Sequence, residues 1–412
     1  MPLFVVFLLA YMLSQFYRSF LAVIAPGLAA ELGLTAGDLA NVSAAWFVVF
    51  ALAQFPLGIA LDRIGPRRSV PVPMLAAVAG ALLLARAQGP VACIVANGLI
   101  GLGCSPIYMG ALYYFGRMER PERFGFICAC MLGLGSLGNL LAATPLALAA
   151  QHFGWRTTFV GIAALTLASA ALFWIMVRDP PPAERPEQRV SGTAADGSGA
   201  GPSARAGLLE ILTLPGLWTL MPLMMLGYAA IVVERGLWVG PYFAEVHQLD
   251  PVGLGNAALA MAAAMSAGAL LFGFADRVFR QRKRLVIAGS LLTSGGFAVL
   301  ALTPRPSLAL ATLTMAAVGF MGLHQPLVFA HARTFFPEHL LGRGMTFANF
   351  LTIGGAGLVQ WVSGSYVTHL QQTGTAAPDV YAALHLAFAI IILAATLIYM
   401  WSPTPSARQA QP

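Results

Sequence analysis

Two arginines and a glutamate stand where charge is expensive. Arg18 lies in "QFYRSFLAVIAP" (15–26), and Glu234 and Arg235 lie in "VVERGLWVGP" (232–241), each within an apolar run long enough to cross a bilayer. An arginine at the centre of such a helix costs about 2.5–3.5 kcal/mol on insertion scales, so each needs a partner, water or a bound anion. A guanidinium presents donors in a planar fork that fits a carboxylate or phosphate, and two of them at similar depth would clamp such a group. Glu234 is the carboxylate placed most deeply in a span, which makes it the candidate for a coupling proton.

Polar neighbours extend the set. His324 and Gln325 in "GLHQPLVFAHAR" (322–333) stand beside Pro326, and the imidazole titrates near neutral pH and suits a proton relay. Asn139 and Gln360 occupy roughly equivalent positions in the fifth and eleventh runs, and Tyr17 precedes Arg18. The substrate-binding candidates are thus Arg18, Arg235, Tyr17, His324, Gln325, Asn139 and Gln360; the proton-coupling candidates are Glu234 and His324. Packing alone would give other roles: a hydrogen-bonded histidine, a snorkelling Arg235, or a structural Arg18–Glu234 bridge.

The elements that position these residues follow from composition. With 58% hydrophobic and 9% charged residues in 412, and a mean hydropathy of +0.77, the chain cannot coat a soluble globule. It reads as an integral membrane protein. The net charge of +7 is spread over short loops rather than one face, which excludes nucleic-acid binding. Cys93, Cys104, Cys128 and Cys130 sit in apolar runs and read as small buried hydrophobes, giving neither a disulfide framework nor a metal site. The N-terminus opens into an apolar run with no basic leader and is expected to be a retained first span.

Stretches of about 20 apolar residues cross about 30 Å of hydrocarbon. Twelve are found, at 3–26, 40–61, 69–87, 91–115, 124–150, 157–177, 212–240, 252–275, 284–303, 306–331, 343–367 and 380–401. Between the sixth and seventh, residues 178–207 are rich in Pro, Gly, Ala and charge and read as a disordered linker. The expected organisation is a six-helix bundle at 1–177, a cytoplasmic linker at 178–209, a second bundle at 210–401 and a cytoplasmic tail at 402–412. Lys and Arg cluster in alternate loops, leaving Arg86, Arg156 and Arg305 on the other side, so both termini are expected in the cytoplasm.

The halves repeat. Pro26 and Pro241, Asn41 and Asn256, and Gly58 and Gly273 share a separation of 215, which drifts to 220 for Pro106 and Pro326. A sustained offset implies duplicated halves related by an axis along the membrane normal.

"GIALDRIGPRR" (58–68) after the second run resembles the signature loop of the major facilitator superfamily, and "GFADRVFRQRKR" (273–284) resembles its degenerate copy. The resemblance covers nearly the whole chain. It implies an all-α polytopic membrane protein, twelve transmembrane helices in two pseudo-symmetric six-helix bundles, acting as a monomeric secondary transporter without cofactor. It also implies a conformational latch built from Gly58, Asp62, Arg63, Gly65, Arg67 and Arg68 with Gly273, Asp276 and Arg277. There Gly58 lets helices approach, and Asp62 meets the N-terminal end of a helix from the opposite half.

"RSFLAVIAPGLAAELGLT" (18–35) is similar to the first span of the anion:cation symporter branch, where the arginine binds the substrate's carboxylate. That branch usually carries an acid before the arginine, and here the position is Tyr17. The resemblance therefore implies a bacterial-type inner-membrane carrier of a small organic anion, of carboxylate or phosphate type, with H+ as the possible coupling ion. Three alternatives are weaker. Met221/Met225 and Met261/Met265 have the spacing of a Cu(I) importer, but methionine commonly fills apolar helices. Drug antiporters carry a Gly-Pro pair in the fifth span, which "GLGSLGNLLAATP" (133–145) lacks. An enzyme or receptor would need a catalytic constellation, and none is visible.

Overall fold

The computed structural model of the chain describes residues 2–179, 210–214, 216–279, 281–337 and 341–403, without the side chains of residues 62, 121, 122, 125, 126, 129 and 341–343. Among these residues there is no strand. Eleven helical segments are long and apolar enough to cross a membrane, and the helix Leu341–Gln372, more polar but 32 residues long, completes twelve spans. The expected all-α architecture is the observed one. The expected linker lies almost wholly outside the described residues.

Proline sets where several helices begin. Pro66, Pro71, Pro90 and Pro121 each stand in the first turn of a helix, where a missing N–H costs nothing. Span one is two helices, Pro2–Ser19 and Leu21–Leu32, and not the continuous run expected from 3–26. Pro26 cannot donate to the carbonyl of Ala22, which is left free at the outer surface of the helix. Span seven runs as Leu217–Pro222, Leu223–Gly227, Tyr228–Val233, Glu234–Trp238 and Val239–His247, the second and fourth being π-helical. Pro241 follows Met225 by sixteen positions where Pro26 follows Met12 by fourteen, and the two π turns absorb the difference. Span five is likewise broken, into Pro121–Gly135, Leu137–Leu141 and Thr144–Phe153.

Within a bilayer, association gains little from burying apolar surface, and close backbone approach at small residues does the packing. Gly138 of span five lies against the Met12 carbonyl of span one, and Gly355 of span eleven lies against the Met225 carbonyl of span seven. The same crossing occurs once in each half. A Cβ at either glycine would overlap the opposing oxygen.

The halves meet at the end of the molecule away from the chain termini. There Gly240 sits on the free Ala22 carbonyl, Gly364 on Ala40 and Gly37 on Thr368, and the Thr144 hydroxyl donates to Asn256 Oδ1 over 2.8 Å. Spans two and eleven stay together down to the ring pair Phe55–Phe350, with centroids 5.5 Å apart. Beyond it, at the terminal end, Gly58 and Gly273 face open space, with nothing within 4 Å of a Cβ placed on either. The named contacts between the halves thus run from the far end to the Phe55–Phe350 pair.

The Gly240 contact gives a direct prediction. In Gly240→Ala the new methyl group would overlap the Ala22 carbonyl oxygen, so the far ends of spans one and seven must separate. Spin-label distances between Ala30 and Gln248 should lengthen in this variant. Gly354→Ala, which meets nothing within 4 Å, should leave them unchanged.

Candidate functional site

The two half-helices of span one meet at Ser19 and Phe20, and the two arginines come together beside that break. Arg18 extends over the second span, its Cζ 5.1 Å from the Trp46 ring centroid and 5.9 Å from that of Phe50. Those rings are stacked 4.8 Å apart at i and i+4 on one helix face, a surface that attracts a cation with its π electrons. The Arg18 Nε is buried with no hydrogen-bond acceptor.

Arg235 reaches the same level from span seven. It is 5% exposed, and its Nη1 donates to the Ser19 hydroxyl and, over 2.9 Å, to Asn139 Oδ1. Ser19 in turn donates to Asn139 Oδ1 over 2.8 Å. The broken span five brings Asn139 here, on the short helix Leu137–Leu141. Arg235 therefore rests on neutral acceptors supplied entirely by the first half. Its Nε is also unpartnered. Among the described residues neither guanidinium makes an ion pair.

Glu234 is fully buried and turns away from Arg235. Its Oε2 lies 3.5 Å from Nε2 of His385, itself fully buried on span twelve, Ala377–Met400. The structural Arg18–Glu234 bridge is therefore not the arrangement found. Adjacent residues on a helix diverge by about 100°, which is why consecutive charges serve different neighbours.

The other candidates are dispersed. The Tyr17 hydroxyl hydrogen-bonds Thr166 Oγ1 at 2.9 Å, between spans one and six. His324 is buried between spans nine and ten with both nitrogens occupied, by Ser290 Oγ at 2.8 Å and the Met321 carbonyl at 3.0 Å. Gln325 donates to Thr352 Oγ1 over 3.3 Å, within the second half. Gln360 accepts from Ser43 over 3.1 Å where spans two and eleven cross. Of the seven substrate-binding candidates the fold brings together Arg18, Arg235 and Asn139.

The latch positions divide similarly. Gly65 has φ +71°, and the Asp179 carboxylate packs on it while accepting the Arg67 backbone N–H over 2.8 Å. Arg63, Arg67 and Arg68 are exposed, and the Asp62 side chain lies outside the described residues. In the second copy Asp276 pairs with Arg282, Oδ2 to Nη2 at 2.8 Å, while Arg277 is exposed.

Sequence reasoning missed Ser19, Trp46, Phe50 and His385. His385 carried a usable signal, an ionisable residue in the middle of the apolar run "YAALHLAFAI" (381–390). Ser19 carried none, because serine is unremarkable in a span.

Comparison with known proteins agrees with this architecture. The chain is 26% identical over 168 residues to YybO, an uncharacterized transporter of Bacillus subtilis, covering 41% of this chain and 39% of that protein. It is 23% identical over 181 residues to a hexuronate transporter of Bacillus subtilis, covering 44% and 43%. It is 24% identical over 173 residues to a probable sulfoacetate transporter of Cupriavidus necator, covering 42% and 40%. The chain thus spans about two fifths of the length of the relatives it matches. Among solved folds, a bacterial homologue of the human lysosomal transporter Spinster, inward-facing and occupied, superposes with a TM-score of 0.77 at 15% identity over 99% of this chain and 98% of that one. The xylose transporter XylE of E. coli, inward open, gives 0.72 at 14% over 98% and 97%. The Major Facilitator Superfamily pattern matches residues 7–360, and the chain belongs to that superfamily.

Proposed function

We propose that the protein is a secondary transporter, not an enzyme, that carries a small organic anion across the inner membrane by alternating access. The observation that carries this reading is the meeting of Arg18 and Arg235 at one level with neutral acceptors and ring faces but, among the described residues, no paired carboxylate. Two cations at low dielectric attract an anion of carboxylate, sulfonate or phosphate type. The names of two relatives, a hexuronate and a probable sulfoacetate transporter, support an anionic substrate. The positive-inside rule supports a cytoplasmic terminal end. We read the transporter as a monomer, with H+ as its coupling ion and Glu234 as the group that binds it.

Three experiments test this. The first screens purified protein by thermal shift against carboxylates, sulfonates and phosphates, and compares the best ligand across variants. Arg18→Gln removes a charge-assisted hydrogen bond worth about 1.5–3 kcal/mol, so affinity should fall about 10- to 150-fold while insertion is kept. Unchanged anion affinity would remove Arg18 from the site.

The second concerns the loop after span two. If Asp62 latches the terminal end in the opposite conformation, Asp62→Asn should change transport rate and leave ligand affinity within a few-fold. A collapse in affinity with an unchanged rate per bound ligand would show that Asp62 is no latch.

The third concerns coupling. Glu234→Gln should abolish uptake driven by a pH gradient and preserve counterflow, which moves no net proton. Gradient-driven uptake surviving in that variant would place the coupling group elsewhere.

A further inference from the structure

Where the far ends of the halves meet there is a cavity of about 330 Å³, within the size range of small-molecule sites. Its walls come from both halves. Thr35 and Leu39, at the start of span two, line one side, and the other is lined by Trp238 and Glu245 of span seven, Thr368 of span eleven and Tyr381 of span twelve. None of these residues belongs to the arginine site.

The lining is uneven in charge and in polarity. Among the described residues Glu245 is its one acid, the residue is exposed, and no Lys, Arg or His lines the cavity. Asp38 adds negative charge behind Thr35, whose backbone N–H and hydroxyl both donate to Asp38 Oδ2, over 2.9 and 2.7 Å. At the same end Arg156 is paired with Glu31. Tyr381 is 1% exposed, and its hydroxyl and Thr368 Oγ1 are buried with no hydrogen-bond partner among the described residues. A buried hydroxyl left without a partner costs free energy that a bound donor recovers.

We propose that this cavity binds a small organic cation, an alkyl- or arylalkylammonium, whose N–H groups donate to Glu245 and to the Tyr381 and Thr368 oxygens. Its apolar body lies against Leu39 and the Trp238 ring, whose π electrons also attract the charge. Charge decides against the other occupants. Glu245 repels an anion, so the cavity is not a second copy of the arginine site, although Trp238 follows Arg235 by only three positions. A hard metal ion takes a shell rich in carboxylates and carbonyls, and among the described residues no group of three or more His, Cys, Asp or Glu is placed to hold one. A neutral alcohol satisfies the hydroxyls but leaves the carboxylate without a counter-charge.

Because its walls belong to both halves, an occupant touches both at once. It binds best when the far ends are together, as they are where Gly240 seats on Ala22 and Gly37 on Thr368, and by that preference it shifts the molecule toward this arrangement. A bound cation therefore slows transport without entering the anion site. That consequence rests on the transporter reading; the site itself is tested with no anion present.

The experiment titrates purified full-length protein by calorimetry with phenethylammonium and with its neutral analogue 2-phenylethanol, so that affinity is read on folded protein. Phenethylammonium should bind the parent saturably and more tightly than the alcohol. Glu245→Gln should weaken the ammonium about 10- to 150-fold, the loss expected for a charge-assisted hydrogen bond, and leave the alcohol unchanged. Tyr381→Phe, which keeps the ring, should weaken the ammonium about 2- to 10-fold. Ala36→Cys and Gln372→Cys place a thiol on the cavity wall of either half. Phenethylammonium should slow the reaction of both thiols with a maleimide, and the anion 3-phenylpropionate should slow neither.

Parental affinity for phenethylammonium in Glu245→Gln would overturn the proposal, since the carboxylate would then play no part. So would an alcohol that binds the parent as tightly as the ammonium, or equal protection by 3-phenylpropionate. Protection of one thiol without the other would overturn the claim that the ligand spans the halves. If the ammonium binds as described and no anion binds at Arg18, the cation site stands and the anionic reading of the arginines fails.

Discussion

Two guanidinium groups held at one level of a bilayer-spanning bundle, with no carboxylate among the described residues paired to them, form the constraint around which this molecule is built. Isolated, each would cost several kcal/mol to place. Neutral acceptors and ring faces reduce that cost without removing the positive potential: Ser19 and Asn139 hold Arg235, and Trp46 and Phe50 lie under Arg18. Each of these supports depends on a departure from a regular helix. Ser19 stands at the break in span one, Asn139 on the short middle helix of span five, and Arg235 on a π turn. The irregular backbone is tolerated at membrane depth because it is buried in protein.

The repeat explains how such a site is assembled and where its asymmetry comes from. Each half uses a glycine in its fifth helix to seat against a carbonyl of its first, and each ties the end of its sixth helix to the loop after its second. In the second half that tie is made by Lys283, which donates to the carbonyls of Met400 and Ser402. The scaffold is thus duplicated while the chemistry is not. Arg18 keeps its charge free, Arg235 is anchored across the interface, and the acid stands only before the second arginine. Since Arg235 is held by first-half acceptors, any rocking of one half against the other must exchange or carry those bonds. This couples the site to the conformational change.

Hydropathy and the 215-residue offset made the twelve spans and the duplication legible, because both are properties of composition along the chain. Pro26 and Pro241 marked the repeat, but proline does not say where the helix parts, and the break at Phe20 lies outside its immediate reach. Arg18, Arg235 and Glu234 stood out by charge alone. What a charge faces depends on helix rotation, which apolar sequence on all sides does not fix. Glu234 was accordingly open to pairing with Arg18, and its neighbour is His385. His324 had the same outward signal as His385, and the structure ties both of its nitrogens to Ser290 and Met321. Only tertiary contacts separate a packing histidine from an unpartnered one.

The central claim is that a negative group of the substrate rests on Arg18, and a double-mutant cycle between ligand and protein tests it most directly. Affinity is measured for a bound carboxylate and for its neutral primary amide, each against the parent and Arg18→Gln. The claim predicts a coupling of about 1.5–3 kcal/mol, because the arginine and the ligand's charge lose affinity together and not additively. Equal losses for acid and amide, with a coupling near zero, would contradict it.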